Sequence, residues 1–332
     1  MNSGFGWCFI GAGSIVKRVM PEMHKTNGGY LASIYSPTFS HAEGIANQYG
    51  AKACRSAEEA LSDPNVRAAY IATPHSDHMD PTLLALKMGL PVICEKPFAV
   101  NLVQARLMVN EARARKLFLM EGMWTRTNPV FAEVLKWITD GNIGRVRSFT
   151  ANVTGRFGFD PSIRLFDYKK AGGMLLDVGV YLVAVSQFIF GDKPDRIAAM
   201  GELADNGADI MCAILLGYKD GISRLFTSSV ASGGGDAVIY GEKGDVYISS
   251  FAAPTEARLI TDSGKEVKST ARLAYSDEGF KYEFDAAMDD IRESRLENVH
   301  ITHAYTLEVM GILDSIRGQI GLQYPADNKE RL

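Results

Sequence analysis

The chain has 332 residues, of which 46% are hydrophobic and 22% are charged, and its formal net charge is −4. This composition is typical of a globular protein, and the length exceeds the roughly 100–200 residues of one ordinary domain, so we expect two domains. A nucleic-acid-binding protein would carry a basic stripe, whereas the lysines and arginines here are scattered. The composition therefore argues against a nucleic-acid partner.

Four cysteines, Cys8, Cys54, Cys94 and Cys212, lie far apart and lack the spacing of metal ligands or of a disulfide framework. Three of them lie in apolar, strand-like surroundings, which is typical of reduced thiols in the cytosol. The N-terminus shows no basic region followed by an apolar run, and no stretch approaches the ~18 apolar residues that would span a bilayer. We therefore expect a cytoplasmic protein that contacts no membrane.

The first third of the chain alternates between apolar, strand-like runs and helix-like segments. Six strands are predicted at residues 7–10, 30–35, 51–54, 68–72, 91–94 and 118–121. Helices are predicted between them at residues 14–25, 40–49, 56–61, 81–88 and 102–115. Near-continuous apolar strands separated by helices indicate a parallel sheet that is covered on both faces. Because such crossovers are right-handed, a doubly wound α/β Rossmann sheet is the expected topology.

The pattern changes after about residue 122. A helix at residues 130–139 is followed by strand-like runs at residues 145–154, 195–204, 208–217, 221–231, 236–241, 244–250 and 256–261. An apolar helix interrupts these runs at residues 173–190, and the chain closes with helices at residues 280–294 and 302–318. This order predicts an α+β domain with a large, mainly antiparallel open sheet. We therefore predict a dinucleotide-binding domain at residues 1–122 and a substrate-binding and oligomerisation domain at residues 123–332.

A glycine-rich turn joins the first predicted strand to the first predicted helix, which is the context that a dinucleotide fingerprint requires. The turn reads Gly11-Ala12-Gly13-Ser14-Ile15. Gly11 would permit a tight turn, and Gly13 would let the backbone approach a pyrophosphate at the helix N-terminus. Val16 stands where the third glycine of the full fingerprint would be, so an ordinary glycine turn is the competing interpretation. The strand–turn–helix context favours dinucleotide binding.

The segment after the second predicted strand indicates which dinucleotide is bound. NAD is usually held there by an acidic residue that accepts hydrogen bonds from ribose hydroxyls, and residues 30–41 contain no Asp or Glu. Ser36, Thr38 and His41 could instead donate hydrogen bonds to the 2′-phosphate of NADP. The same segment lacks Arg and Lys, which usually neutralise that phosphate. We expect NADP to be preferred over NAD, and a merely polar turn is the alternative.

The tripeptide Glu95-Lys96-Pro97 follows the fifth predicted strand, at the edge of a doubly wound sheet where ligands bind. A lysine at this position could orient the nicotinamide ribose and the oxygen atom of a substrate. The alternative is a solvated loop lysine, because most lysines are exposed. The tripeptide alone leaves both interpretations open.

Several short motifs together resemble the glucose–fructose oxidoreductase and inositol dehydrogenase family, Gfo/Idh/MocA. They are the glycine turn at residues 11–15, Thr73-Pro74 with His78, Glu95-Lys96-Pro97, and the stretch AGGMLLDVGVY at residues 171–181. The stretch EGMWTR at residues 121–126, and Tyr181 in the place of a histidine, resemble the branch of dimeric dihydrodiol dehydrogenases and NADP-dependent xylose dehydrogenases. The resemblance covers essentially the whole chain and implies an NAD(P)-dependent oxidoreductase acting on CH–OH groups.

The resemblance also implies roles for individual residues. Lys96 would be the active-site lysine, and Asp177 and Tyr181 would face the nicotinamide from the second domain. The other residues implied to line the cofactor are Thr73, Pro74, His78 and Glu95. Asp177 and Tyr181 are four residues apart in a predicted helix and so share one face, although a polar helix face without catalytic function has the same spacing.

These three side chains suggest a mechanism. A tyrosine can act as a general acid or base only if its pKa, about 10 in model peptides, falls. A nearby Lys96 cation would stabilise the phenolate of Tyr181 and lower its pKa. We expect Tyr181 to exchange a proton with the substrate oxygen, Lys96 to polarise that oxygen, and Asp177 to orient the substrate or the lysine.

Other motifs allow more than one interpretation. Trp124, Arg126 and Phe157 are candidates for the wall of the substrate pocket, and the alternatives are core packing for the tryptophan and a surface position for the arginine. Residues 75–78, HSDH, offer too few ligands for a catalytic zinc ion, so we predict no metal. Residues 232–235, SGGG, lie between predicted antiparallel strands and are interpreted as a hairpin turn.

Two classes of function are open on this basis. The first is a dehydrogenase that transfers a hydride between the nicotinamide and a sugar, a dihydrodiol or a small carbonyl compound. The second is a non-catalytic protein of the same fold that senses a dinucleotide or a sugar. The presence of Lys96, Asp177 and Tyr181 together favours the enzyme. Because the predicted helices are too few to cover both faces of the second sheet, we also expect a homodimer or a higher homo-oligomer.

Overall fold

The computed structural model describes residues 4–251, 253–261, 266–270 and 279–327. The chain forms two compact units. The first comprises Met1–Trp124 and Gly279–Leu307, and the second comprises Thr125–Glu278 and Glu308–Leu332. The first unit therefore combines the N-terminal region with a segment from near the C-terminus.

Parallel strands form the centre of the first unit. They are β1 (Phe5–Ile10), β2 (Gly29–Tyr35), β3 (Lys52–Cys54), β4 (Val66–Ile71), β5 (Val92–Glu95) and β6 (Leu119–Gly122). The helices that connect them are α1 (Ser14–Met23), α2 (Phe39–Tyr49), α3 (Ala57–Leu61), α4 (Met79–Lys87) and α5 (Leu102–Arg115). Among the described residues the sheet has six strands, in the order β3-β2-β1-β4-β5-β6. The Rossmann sheet expected from the sequence is confirmed, and the strand order reverses between β1 and β4, where ligands bind in such sheets.

A mixed sheet forms the centre of the second unit, together with helices α6 (Pro129–Thr139) and α7 (Val180–Phe190). Its strands are β7 (Val146–Thr154), β8 (Arg196–Leu203), β9 (Asp209–Gly217), β10 (Ile222–Ser228), β11 (Ala237–Gly241), β12 (Gly244–Ile248), β13 (Ala257–Thr261) and β14 (Glu266–Ser269). Within the described part of the chain, their order is β14-β13-β12-β11-β7-β10-β9-β8. Only β7 and β10 are parallel neighbours there. The expected large, mainly antiparallel sheet is confirmed.

The predicted hairpin at residues 232–235 is wrong. Strands β10 and β11 are not neighbours, because β7 lies between them and pairs with both. The glycine run instead belongs to a connection that crosses the end of β7. There the Thr154 hydroxyl group accepts a hydrogen bond from the Gly233 N–H at 2.7 Å and donates one to the Gly234 carbonyl oxygen at 2.9 Å. Local sequence patterns do not indicate this arrangement, because the intervening strand comes from a much earlier part of the chain.

Helix α7 packs against β7 and β10 and covers one face of the second sheet. The segment that contains it, Tyr168–Phe190, is long enough to cross a membrane, and its most apolar window of 18 residues has a mean hydropathy of 1.8, which was not recognised from the sequence. In the folded protein, 78% of its most apolar window is buried. We therefore interpret this segment as a core helix.

The opposite face of the second sheet carries exposed apolar side chains. Met200 in β8 is 81% exposed, Leu215 in β9 is 49% exposed, and Ile222 in β10 is 46% exposed. Leu215 lies opposite Ala198 on one side and Arg224 on the other. Because side chains alternate between faces along a strand, this register places the three apolar side chains on one face.

The last two helices are α8 (Phe280–Arg292) and α9 (His303–Ile320). Helix α8 packs against α1 and β2 in the first unit. The ring centroid of Phe284 lies 5.1 Å from those of Trp7 and Tyr70. A helix from the C-terminal part of the chain therefore completes the core of the parallel sheet.

Candidate active site

The glycine turn lies between β1 and α1. Gly11 has a φ of +116°, and a Cβ atom there would lie 2.3 Å from the carbonyl oxygen of Ala72, just beyond β4. Only glycine fits so close an approach. A Cβ atom at Gly13, the N-cap of α1, would meet nothing within 4 Å among the described residues. The N-terminus of α1 is therefore accessible and fits a dinucleotide pyrophosphate.

A cleft of about 820 Å³ opens beside this turn. The turn residues Ala12, Gly13 and Ser14 line one part of it, and α1 and α2 line the remainder. Lys17 of α1 and His41 of α2 contribute polar side chains to the lining. The cleft therefore joins the turn predicted to bind the pyrophosphate to the beginning of α2.

Ser36 and Thr38 follow β2 at the carboxyl edge of the sheet. Ser36 is mostly buried, and Thr38 is exposed at the N-cap position of α2. The Thr38 side chain makes no capping hydrogen bond within the described residues. Its hydroxyl group is therefore available to a ligand at this edge.

His78 connects the loops that follow β4 and β5. Its Nδ1 atom lies 2.9 Å from the carbonyl oxygen of Pro97, and its Nε2 atom lies 3.0 Å from the carbonyl oxygen of Thr73. Burial lowers the pKa of His78 to about 4, so the ring is neutral at pH 7 and donates to one of these carbonyls. Pro74, which follows Thr73, is the N-cap residue of a short 3₁₀ turn, His75–Asp77. The structure thus brings the Thr73-Pro74 motif and the Glu95-Lys96-Pro97 motif together.

Glu95 ends β5 and is buried beside β4. One of its carboxylate oxygens, Oε1, accepts a short hydrogen bond from the hydroxyl group of Tyr70, and Oε2 accepts one from the Lys96 N–H at 3.2 Å. Burial raises the pKa of Glu95, and the charge of Lys96 opposes this rise. Tyr70 is not among the site residues predicted from the sequence. The feature that could have indicated it is a hydroxyl-bearing side chain in an otherwise apolar part of β4.

Two further carboxyl groups are buried in the first unit. Glu121 in β6 accepts hydrogen bonds from the Phe98 N–H at 3.1 Å and the Thr306 hydroxyl group at 3.0 Å, and burial raises its pKa to about 7. Glu283 in α8 is fully buried, and neither of its carboxyl oxygens has a hydrogen-bond partner within the described residues. Burial, with a smaller contribution from the charge of Glu95, raises the pKa of Glu283 well above its ordinary value. This environment favours the neutral form of Glu283.

Asp177 and Tyr181 lie at the beginning of the helical segment that covers the second sheet. Asp177 is in a π-helical turn, Leu175–Gly179, and Tyr181 follows in α7. The Nη2 atom of Arg164 lies 2.8 Å from Oδ1 of Asp177. Arg164 is not among the site residues predicted from the sequence, because no periodicity connects its loop to the helix. Lys96 belongs to the other unit, and its convergence with Tyr181 stays a prediction.

Asp209 anchors the start of the same helical segment. Its Oδ2 atom accepts a hydrogen bond from the Leu175 N–H at 2.7 Å. Gly173 has a φ of +148°, and a Cβ atom there would lie 2.0 Å from Oδ1 of Asp209. Burial raises the pKa of Asp209 to about 7. The glycine therefore makes room for the carboxyl group that fixes the turn carrying Asp177.

The three candidates for the pocket wall lie in different surroundings. Trp124 is buried, and its ring centroid lies 5.1 Å from that of Phe280. The guanidinium carbon of Arg126 lies 3.6 Å from the centre of the Phe188 ring. Phe157, in the loop after β7, is 65% exposed. Their contact with a substrate stays a prediction.

Within the part of the chain that the structure describes, no group of three or more His, Cys, Asp or Glu side chains could hold a metal ion. The four cysteines are buried free thiols. Burial raises the pKa of Cys8 to about 12 and that of Cys94 well above its ordinary value. These two thiols are therefore poor nucleophiles at neutral pH.

Two family profiles match the chain. The one described as an oxidoreductase family with an NAD-binding Rossmann fold matches residues 5–123, and the GFO/IDH/MocA C-terminal domain matches residues 131–247. A trans-1,2-dihydrobenzene-1,2-diol dehydrogenase of Mus musculus is 32% identical over 97% of this chain and 99% of its own length. The enzyme of the same name from Homo sapiens is 32% identical over 90% of this chain and 91% of its own.

Solved structures show the same fold at lower identity. An aldose–aldose oxidoreductase from Caulobacter crescentus, complexed with glycerol, has a TM-score of 0.86 at 21% identity and covers 95% of this chain and 97% of its own. The 3-ketoreductase KijD10 from Actinomadura kijaniata, in complex with NADP and TDP-benzene, has a TM-score of 0.83 at 21% identity, with 96% and 98% covered. With the glycine turn on a Rossmann sheet and both profiles matched, the chain belongs to the Gfo/Idh/MocA family of NAD(P)-dependent oxidoreductases.

Proposed function

We propose that this protein is an NADP-preferring dehydrogenase that oxidises a CH–OH group of a trans-dihydrodiol or a sugar, or reduces the corresponding small carbonyl compound. The observation that carries this proposal is the similarity to trans-1,2-dihydrobenzene-1,2-diol dehydrogenases along 97% of the chain. The accessible N-terminus of α1 and the cleft beside it support the dinucleotide half of the reaction.

In this proposal the side chains of the protein position the substrate and move its proton. The bound nicotinamide supplies or accepts the hydride. During oxidation, the phenolate form of Tyr181 takes the proton that leaves the substrate hydroxyl, and during reduction the Tyr181 hydroxyl group gives a proton to the carbonyl oxygen. The Lys96 ammonium group stabilises the negative charge on Tyr181 and polarises the substrate oxygen. Asp177, paired with Arg164 at 2.8 Å, orients the substrate hydroxyl.

The preference for NADP is supported by the end of β2. This segment offers the hydroxyl groups of Ser36 and Thr38 and the ring of His41, and it contains no carboxylate to repel a phosphate. The non-catalytic sensing protein is the alternative. The simultaneous presence of Lys96, Asp177 and Tyr181 supports the enzyme, because a sensor need not keep all three.

We also propose that two copies of the chain associate in the cytoplasm through the exposed face of the second sheet. The exposed apolar side chains of Met200, Leu215 and Ile222 support this assembly. Contact with a second copy would remove this apolar surface from water.

A turnover assay tests the proposed reaction. Purified protein is mixed with NADP⁺ or NAD⁺ and a panel of aldoses, inositols and trans-dihydrodiols, and the absorbance of the reduced nicotinamide is followed. We expect turnover with at least one member of the panel and a lower KM for NADP⁺ than for NAD⁺. Tight binding of NADPH without turnover of any member would favour the sensing protein instead.

A further inference from the structure

The sequence after β2 lacks the arginine or lysine that usually neutralises a 2′-phosphate, but the fold brings a cation from the neighbouring strand. Strands β2 and β3 are parallel neighbours, and Tyr35 lies opposite Cys54. The next residues, Ser36 and Arg55, therefore leave the sheet side by side at its carboxyl edge. Arg55 is exposed there.

The side chain of Arg55 is held above the beginning of α2. Its guanidinium carbon lies 4.3 Å from the centre of the ring of Phe39, the first residue of that helix. Stacking on an aromatic face restricts the guanidinium while its N–H groups still point outward. The first turn of α2 contains no acidic residue, so the helix N-terminus adds to the positive potential.

The carboxylate of Glu59, four residues after Arg55, already has two partners. Glu59 accepts a hydrogen bond from the backbone N–H of Arg55 at 2.9 Å through Oε2, and its Oε1 atom pairs with Lys52 at 3.0 Å. The hydrogen bonds from the Arg55 backbone and from Lys52 lower the pKa of Glu59 most, and the charge of Arg55 makes the smallest of the lowering contributions. No salt bridge within 4.0 Å joins the Arg55 guanidinium to a carboxylate among the described residues. Its charge is therefore available to a bound anion.

We propose that Arg55 is the residue that recognises the 2′-phosphate of NADP in this protein, with the hydroxyl groups of Ser36 and Thr38 as additional donors. The proposal rests on the proposed preference for NADP. An arginine offers a planar set of donors that matches the oxygens of a phosphate. Lys17, which lines the cleft beside Gly13, is the competing cation.

Binding measurements without any substrate test this proposal. The dissociation constants of NADPH and NADH are measured by quenching of protein fluorescence, and those of 2′-AMP and 5′-AMP by titration calorimetry. We expect Arg55→Gln to weaken the binding of NADPH and 2′-AMP by about tenfold or more, because a charge-assisted hydrogen bond is lost. The dissociation constants of NADH and 5′-AMP should change by less than about twofold. Arg55→Lys should restore part of the loss. The matched control is Arg67→Gln, which removes an exposed arginine of β4 and should leave all four dissociation constants unchanged.

Each other outcome overturns the proposal. If Arg55→Gln left the ratio of NADPH affinity to NADH affinity unchanged, or weakened the binding of both dinucleotides equally, Arg55 would not recognise the 2′-phosphate. If Lys17→Gln weakened NADPH binding selectively and Arg55→Gln did not, Lys17 would be the residue that recognises the 2′-phosphate. Equal affinity of the unmodified protein for NADPH and NADH would refute both the NADP preference and the proposed role of Arg55. The proposed dehydrogenase activity is tested separately, by the turnover assay.

Discussion

The Nη2 atom of Arg164 lies 2.8 Å from the Oδ1 atom of Asp177. The side chain of Asp177 is 14% exposed and that of Arg164 is 47% exposed, so the pair lies at the margin between protein and solvent. An arginine from the loop before Gly172-Gly173 thus fixes the carboxylate that is proposed to orient the substrate. The contact limits the directions in which Asp177 can point.

Loss of this pair should impair catalysis more than cofactor binding. We expect Arg164→Gln to lower kcat/KM by roughly ten- to hundredfold, because a misplaced orienting group lowers the fraction of reactive complexes. The dissociation constant of NADPH should not change. The matched control is Arg156→Gln, which removes an exposed arginine from the same loop. Equal kinetics in the two variants would show that Arg164 does not act through Asp177.

Lys96 should be required for the chemical step. We expect Lys96→Met to abolish measurable turnover, because the substrate oxygen and Tyr181 would lose their cation. Quenching of protein fluorescence by NADPH should remain nearly intact, which separates chemistry from cofactor binding. If both turnover and quenching survived, Lys96 would have no catalytic role.

Tyr181 should carry the proton. We expect Tyr181→Phe to lower kcat by about 10²- to 10⁴-fold, the usual contribution of a general acid or base. The substitution removes one hydroxyl group and keeps the ring, so the melting temperature should change little. A kcat close to that of the unmodified protein would assign the proton transfer to another group.

Glu283 should make stability depend on pH. The pKa of Glu283 is raised in the folded protein, so its carboxyl group stays protonated there at pH values at which the unfolded chain has already released the proton. The free energy of unfolding therefore falls as pH rises above the ordinary pKa of a glutamate. Glutamine cannot ionise. Glu283→Gln should therefore be more stable than the unmodified protein at about pH 8–9, by about 1–3 kcal/mol, and the difference should shrink towards pH 4.

Thermal or urea unfolding between pH 4 and about pH 9 measures this effect. The control is Glu43→Gln, which replaces an exposed glutamate and should give a difference that does not depend on pH. A destabilisation by Glu283→Gln that is equal at all pH values would mean that the pKa of Glu283 is the same in the folded and the unfolded protein.

The exposed face of the second sheet should form the subunit contact. We expect the unmodified protein to sediment as a dimer of the 36.3 kDa chain, and Leu215→Asp to shift it towards the monomer, because an uncompensated charge would be buried at the contact. Val103→Asp, at an exposed position in α5, should leave the mass unchanged. A monomer for the unmodified protein, or a dimer that survives Leu215→Asp, would refute this contact.

The sequence by itself predicted the parallel sheet, the turn at Gly11 and Gly13, and the position of Lys96 at the carboxyl edge. These features depend on local patterns, because apolar runs, helix periodicity and glycines recur over a few residues. The same local patterns indicated the strands of the second unit. They did not show that β7 separates β10 from β11.

Contacts between distant parts of the chain were decided only by the tertiary structure. They include Glu283 reaching the core of the first unit, Arg164 paired with Asp177, Asp209 anchoring the turn after Gly173, and Arg55 stacked on Phe39 beside Ser36. Each of these contacts depends on strand register or on helix packing. The spacing of residues along the chain determines neither the register nor the packing. The sequence therefore determined which groups are present, and packing determined which of them meet.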